Sequence, residues 1–286
     1  MSLAASHSFC RRLVAVMILL PAMILTGVTA TAAVAEDDGR FVLAIDPGHG
    51  GNDLGTSGSR LHEKNVTLQV ARLLRDMLAE RLGDSVKVVM TRDADIFVPL
   101  RERAAIANRA NADLFVSIHV NSIAKRSRGR RTIKGTSVYT LGLHKSEANL
   151  SVAMAENAVI ELEEDFSEAY QGFDPNVSES YIIFELGQNR NMEQSLEMAS
   201  LAQHFLVSHA GRADREVRQA GFLVLWATKM PAVLVELDFM CNPDIERYFG
   251  TERGRKELAE SLYLAVDAYR RLHPHNPAAS VRGGEQ

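Results

Sequence analysis

A continuous apolar run, Phe41-Val42-Leu43-Ala44-Ile45, stops at Asp46-Pro47-Gly48, and an apolar stripe follows at Val66, Val70, Leu73, Leu74, Met77 and Leu78. The run has the length and composition of a strand buried on both faces, and the stripe has the period of one helix face. Gly83 stands where that helix, opened by Glu63, has to stop. Val86-Lys87-Val88-Val89-Met90 predicts a second strand. Pro99 opens a short helix to about Arg109, and Leu114-Phe115-Val116-Ser117-Ile118 predicts a third buried strand. Strand and helix alternating in this way leave a parallel sheet with right-handed crossovers as the architecture.

Later strands are expected at residues 137–141, 181–186, 222–225 and 233–237, and helices at 147–162, 191–209 and 251–272. The expected fold is a single α/β domain over residues 41–272, with a mostly parallel twisted sheet flanked by helices on both faces. A short lead at 36–40 precedes it. The segment 273–286, rich in Pro, Gly and small polar residues, reads as a disordered tail.

Upstream, Arg11 and Arg12 precede an apolar stretch from Leu13 to about Val28, and Ala33-Val34-Ala35 follows before Glu36-Asp37-Asp38. Positive flank, apolar core and an A-x-A site predict a secretory signal peptide at 1–35. The mature chain is then expected in the periplasm or cell wall, with no stable membrane anchor. Cys10 would leave with the signal, so Cys241 would be alone and no intramolecular disulfide is expected. A net charge of -4 carries no polyelectrolyte signature, so nucleic acid is not an expected partner. The chain is expected to act as a monomer.

Ligands of open α/β sheets bind outside the carboxyl ends of the strands. His49 follows the first strand, His119 ends the third, and Glu236 lies near the end of the strand at 233–237. Glu63 starts the first helix, so the chain returns it to the same edge. Two imidazoles and one carboxylate are the ligand set of many zinc hydrolases, and a second carboxylate would serve as acid and base. Spacing leaves open which of Glu63 and Glu236 is ligand and which is base. His62 is a rival ligand beside Glu63, and Gly48-His49-Gly50-Gly51 lacks the phosphate-cradling glycine patterns.

These segments belong to an ordered series. Ile45-Asp46-Pro47-Gly48-His49-Gly50-Gly51-Asn52-Asp53 with Gly55 comes first, then Glu63-Lys64-Asn65 and Thr91-Arg92-Asp93. Val98-Pro99-Leu100 with Arg103, Ala107 and Asn108 leads to Ser117-Ile118-His119-Val120-Asn121-Ser122. Gln219-Ala220-Gly221-Phe222, Pro231-Ala232-Val233-Leu234-Val235-Glu236 and Cys241-Asn242-Pro243 complete it. The series resembles the N-acetylmuramoyl-L-alanine amidases of the type-3, AmiC-like class. The resemblance implies zinc bound by His49, Glu63 and His119, Glu236 as catalytic acid/base, and hydrolysis of the amide joining N-acetylmuramic acid to L-alanine in peptidoglycan. Two departures stand out: Leu237-Asp238-Phe239 replaces the usual Thr-Ala/Gly-Phe, and Val120 replaces the commoner alanine after His119. Neither removes an expected functional residue.

Between two predicted strands, the segment 156–179 is acidic, with Glu156, Glu161, Glu163, Glu164, Asp165, Glu168, Asp174 and Glu179. Charge runs are usually solvated faces. The resemblance implies instead an insertion that packs over the site and places a glutamate on the zinc until an activator protein displaces it. Glu161, Glu163, Glu164 and Glu168 are the candidates for that contact. Two other functions remain compatible with the residues: a non-catalytic wall-binding module, and a zinc peptidase or deacetylase acting on another wall bond.

Overall fold

The first strand (β1, Phe41–Pro47) runs on past its apolar stretch, because Asp46 is buried and fully partnered. Its carboxylate accepts from Thr91 and Ser117 hydroxyls and pairs with Arg103 at 2.8 Å. Burial raises the Asp46 pKa, but Arg103 and the hydroxyl bonds outweigh it and hold the carboxyl below its ordinary range. The computed structural model describes residues 38–164, 166–183 and 191–275. The expected signal peptide with Cys10, residues 184–186 of the expected strand at 181–186, and residues 276–286 of the tail lie outside the described residues.

Helix α1 (Glu63–Leu82) leads to β2 (Val86–Met90), α2 (Leu100–Arg109) and β3 (Leu114–Asn121). Next come β4 (Thr136–Leu141), α3 (Glu147–Asn157), α4 (Met192–Ser208), β5 (Asp214–Ala220) and β6 (Ala232–Phe239). Two helices close the domain, α5 (Pro243–Gly250) and α6 (Glu252–Leu272). The strands form one six-stranded sheet in the order β2-β1-β3-β6-β4-β5. Among the described residues, only the β4–β6 pairing is antiparallel. One core packs Leu43, Ile45, Val116 and Val235 against α1, α4 and α6; the other packs Ala44, Phe115, Tyr139 and Leu234 against α2, α3 and the segment that follows α3. Helices on both faces of a mostly parallel sheet are as expected from the alternation.

Three expectations need correction. Residues 222–225 are not a strand. They enter a short helical turn, Leu223–Trp226, whose first amide donates to Asn157 Oδ1. The strand lies just before, at β5, and was hidden because Asp214-Arg215-Glu216-Val217-Arg218-Gln219 is an edge sequence without an apolar run. The described part of 181–186 is no strand either: Tyr181 sits in a 3₁₀ helix, Ser178–Ile182, with its hydroxyl accepting from Asn157 and donating to Pro175 O. The remaining correction is an omission, α5, capped by Asn242 Oδ1 accepting from the Asp244 amide, with Pro243 in its first turn. The start of the expected disordered tail is tied down as well, with His275 Nδ1 2.8 Å from Asp113.

Candidate metal centre and its acid–base partner

Four side chains from four segments meet at the carboxyl edge of the sheet. His49 follows β1 in the left-handed backbone region, at φ 63°. Two buried arginines hold the chain there: Arg103 donates to the His49 and Pro47 carbonyls, and Arg92 to those of Pro47 and Gly48. His119 lies near the end of β3, and Glu63 opens α1. The chain passes so close that two glycines are required. A Cβ on Gly48 would lie 2.5 Å from the His119 ring, and one on Gly55, already at φ +62°, would lie 2.6 Å from Glu63 Oε2 and His49 Cδ2.

Glu63 is aimed by two backbone amides, Val120 N to Oε1 at 2.7 Å and Thr56 N to Oε2 at 2.8 Å. Its Oε1 lies 3.1 Å from His49 Nε2 and 3.3 Å from His119 Nδ1. The fourth group is Glu156, whose Oε2 lies 3.2 Å from His49 Nε2 and 2.9 Å from His119 Nδ1. One donor atom from each residue falls within 4.8 Å of all the others. Yet His49 Nε2, His119 Nδ1 and Glu156 Oε2 are buried without a hydrogen bond of acceptable geometry. Buried polar atoms without partners are costly, and a shared cation would satisfy all three at once. Donors about 2.0–2.1 Å from a tetrahedral zinc would be spaced about 3.3 Å apart, close to these separations. Asp53 completes the set from behind, its Oδ2 2.7 Å from His49 Nδ1, the carboxylate–histidine arrangement that orients metal-ligating imidazoles.

The electrostatics point the same way. Burial disfavours charge on His49, but Glu63, Glu156 and Asp53 outweigh it and raise its pKa well above the ordinary value. His119 follows the same balance against Glu156 and Glu63 and is raised to about 10. The carboxylates around them thus favour protons on both imidazoles in the metal-free cluster. A divalent cation with neutral imidazoles gives the same net charge, so binding should expel protons. Zinc added to the metal-free chain at neutral pH is expected to release about two protons per ion. Its affinity should fall as pH drops, because protons then compete for the same nitrogens. Calorimetry in buffers of different ionisation enthalpy measures the count; a value near zero would contradict the shared site.

Glu236 stands apart from these four. The β3–β6 register pairs His119 with Glu236, which brings its carboxylate beside the cluster. It is fully buried, and neither oxygen has a hydrogen-bond partner. Burial, then the charge of Glu156, raises its pKa well above the carboxylate range, with His119 opposing. Of the two carboxylates that spacing left unresolved, Glu63 faces both imidazole nitrogens, and Glu236 is not among the four donors.

Several expected contacts fall elsewhere. His62, the rival ligand, precedes α1 and bonds Ser57 Oγ through Nδ1 at 2.8 Å. None of Glu161, Glu163, Glu164 and Glu168 belongs to the cluster. Glu161 accepts from Asn176, Glu163 accepts from the Leu100 amide and the Tyr170 hydroxyl, and Glu164 and Glu168 are exposed. The carboxylate that reaches the site is Glu156, on the last turn of α3, where Asn157 anchors the helix through Gly221 O and the Leu223 amide. Its position on a helix packed against the sheet was the available signal; the charge-dense stretch after it forms outer turns. The departure at Leu237-Asp238 is structural: Asp238 accepts from the Gly135 amide at 2.7 Å and pairs with Arg212 at 3.3 Å.

Residues 43–268 match the family described as N-acetylmuramoyl-L-alanine amidase. The chain is 34% identical over 239 residues to N-acetylmuramoyl-L-alanine amidase AmiC of Escherichia coli O6:H1, covering 82% of this chain and 54% of that protein. It is 30% identical over 237 residues to AmiA of Escherichia coli K12, covering 82% and 78%. The chain thus spans about half the length of that AmiC relative. Among solved structures, an N-acetylmuramoyl-L-alanine amidase from Clostridium difficile 630 is similar, with a TM-score of 0.61 at 27% identity over 82% of this chain and 99% of that one. With the ordered motifs, the sheet and the family match in agreement, the chain belongs to the N-acetylmuramoyl-L-alanine amidase family, in its AmiC-like class.

Proposed function

We propose that this chain is a zinc-dependent peptidoglycan amidase that cleaves the bond between N-acetylmuramic acid and L-alanine and is held inactive until α3 moves. It acts outside the inner membrane, in the periplasm or cell wall, during wall remodelling or daughter-cell separation. The observation that carries this reading is the convergence of His49 Nε2, His119 Nδ1, Glu63 Oε1 and Glu156 Oε2 beside an unpartnered, buried Glu236.

His49, Glu63 and His119 would hold the metal, with Asp53 orienting His49. Bound zinc supplies a Lewis acid that polarises a carbonyl and acidifies water. Glu236 takes the proton from the attacking water on one of its two free oxygens and returns it to the departing amide nitrogen. A carboxyl with a raised pKa suits both halves of that transfer. Tyr139, two residues along β4 from the Ser137 that pairs with Glu236, is itself pushed up to about 12 by burial and the nearby Glu236, so it stays a neutral wall.

Glu156 gives the centre a fourth donor. Catalytic zinc sites keep one position open, whereas four protein ligands make a closed site. In this state the chain is therefore autoinhibited. The partner that relieves it has to shift α3 as a unit, because Ser146 caps its start, Ala153 is buried beneath it and Asn157 fastens its end.

Digestion of purified wall, followed by mass spectrometry, tests the bond. Free peptides beginning with alanine, alongside intact sugar chains, are the expected products. Peptides shortened from the other end, or deacetylated sugars, would replace the amidase reading with another wall hydrolase.

A further inference from the structure

A cavity of about 750 Å³ opens beside Glu156 and Thr56, and its lining includes Lys125, Arg130, Arg215 and Arg218. Two of these come from one loop of unusual composition. Between Ala124 and Gly135 the chain reads Lys-Arg-Ser-Arg-Gly-Arg-Arg-Thr-Ile-Lys, six cations without a carboxylate, in a protein whose net charge is -4. All six are exposed or half-buried.

Elsewhere on the surface, several cations are matched. Arg75 pairs with Asp93, Arg81 with Glu260, and Arg253 with Glu257. Among the described residues, the cavity cations find only neutral partners. Arg130 donates to Ile123 O, Arg218 donates to Asn149 Oδ1 and Arg215 O, and Arg215 lies over the Phe239 ring at 5.2 Å. Guanidinium groups with donors to spare, half-buried and fixed by neutral contacts, match carboxylates in both charge and shape. Among the described residues, the one carboxylate on the cavity wall is Glu156 itself.

Strand register gives the scale. Glu236 pairs with Ser137 on β4, and Tyr139 on β4 pairs with Arg218 on β5. Two strand steps separate the base from the arginine strand, roughly 10 Å. An extended peptide covers that in about three residues.

We propose that Arg130, Arg215 and Arg218, extended by the loop at 125–134, recognise carboxylates of the substrate's peptide about two or three residues from the scissile amide, and so make the enzyme selective for acidic over amidated stems. This rests on the amidase reading above. Lys125, on the lining of the same groove, adds a salt-sensitive attraction for the same peptide.

The test uses the zinc-loaded full chain carrying Glu156→Ala. Its probes are a soluble disaccharide-peptide with free carboxylates and the same compound with those carboxylates amidated. Adding Arg130→Gln and Arg215→Gln is expected to raise KM for the acidic compound about tenfold, the loss of one or two charge-assisted contacts, while kcat changes by less than about twofold. The amidated compound should show the high KM with or without the arginines, and salt should weaken only the pair that has both charges. Lys125→Gln alone, on an exposed loop position, should give a smaller rise in the same direction. An unchanged KM would overturn the proposal, and so would an equal rise for both compounds, which would mean a disturbed groove. Tighter binding of a DNA oligonucleotide than of the acidic compound, with the same arginine dependence, would also overturn it. Release of peptide from neither compound would instead refute the amidase reading. Calorimetric binding of the two compounds would then still decide the groove, with preference for the acidic one supporting it and equal binding overturning it.

Discussion

Glu236→Gln is expected to reduce peptide release from purified wall by about a thousandfold, within the range of a lost general acid–base group, while zinc content stays near one ion per chain. The substitution keeps the shape of a fully buried side chain, and neither carboxylate oxygen forgoes a hydrogen bond in the exchange. Structural loss should therefore be small, and circular dichroism with metal analysis checks it. A metal ligand would behave differently, since His119→Ala should empty the site and activity together. A folded Glu236→Gln protein with wild-type turnover would move the acid–base role elsewhere, and among the described residues no other buried carboxylate is left without a partner on both oxygens.

The pH profile offers a second readout. Burial and then Glu156 raise the Glu236 pKa, so in the closed state the group binds its proton to higher pH than an ordinary carboxyl. A base works only when deprotonated, so its activity rises as pH climbs through that pKa. Removing the Glu156 charge lowers the pKa, and the acid limb of the profile should move to lower pH. Measuring kcat against pH in both backgrounds tests the sign directly.

Glu156→Ala is expected to raise basal activity roughly 10- to 100-fold, as would follow if the open state is populated at about 1–10% in the resting chain. The same change removes a metal donor, so zinc retention against a chelator should weaken. The two effects have opposite signs, which separates a plug from a catalytic residue. Deleting residues 163–176 should also raise activity, but by less. It removes the bond from the Leu100 amide to Glu163 and the packing of Tyr170 against Arg101 at the start of α2, while leaving Glu156 on a helix held by Asn157. Unchanged or lower activity in a folded, zinc-loaded Glu156→Ala chain would rule out autoinhibition by this residue.

Much of the candidate site is legible in the amino-acid sequence. His49, Glu63 and His119 were legible because each sits where a strand ends or a helix begins, and buried parallel strands announce themselves as unbroken apolar runs. The order of the motifs then identified the family. Polar segments were less legible. β5 has no apolar run because its edge position leaves much of it in contact with solvent, and the apolar residues just after it turn into a helix instead.

The amino-acid sequence by itself determined the α/β architecture, the edge of the sheet that carries the chemistry, and a pool of residues able to bind zinc and move a proton. Local periodicity and chain direction suffice for that, because right-handed crossovers return the ends of the parallel strands β1, β3 and β6 to one side. Only the tertiary structure decided which members of the pool share a centre. Two backbone amides aim Glu63 at both imidazoles, the β3–β6 register sets Glu236 beside them, and α3 delivers Glu156 from beyond the next strand. Those roles depend on distances between segments far apart in the chain, set by how helices pack on the sheet, and no local pattern of residues encodes them.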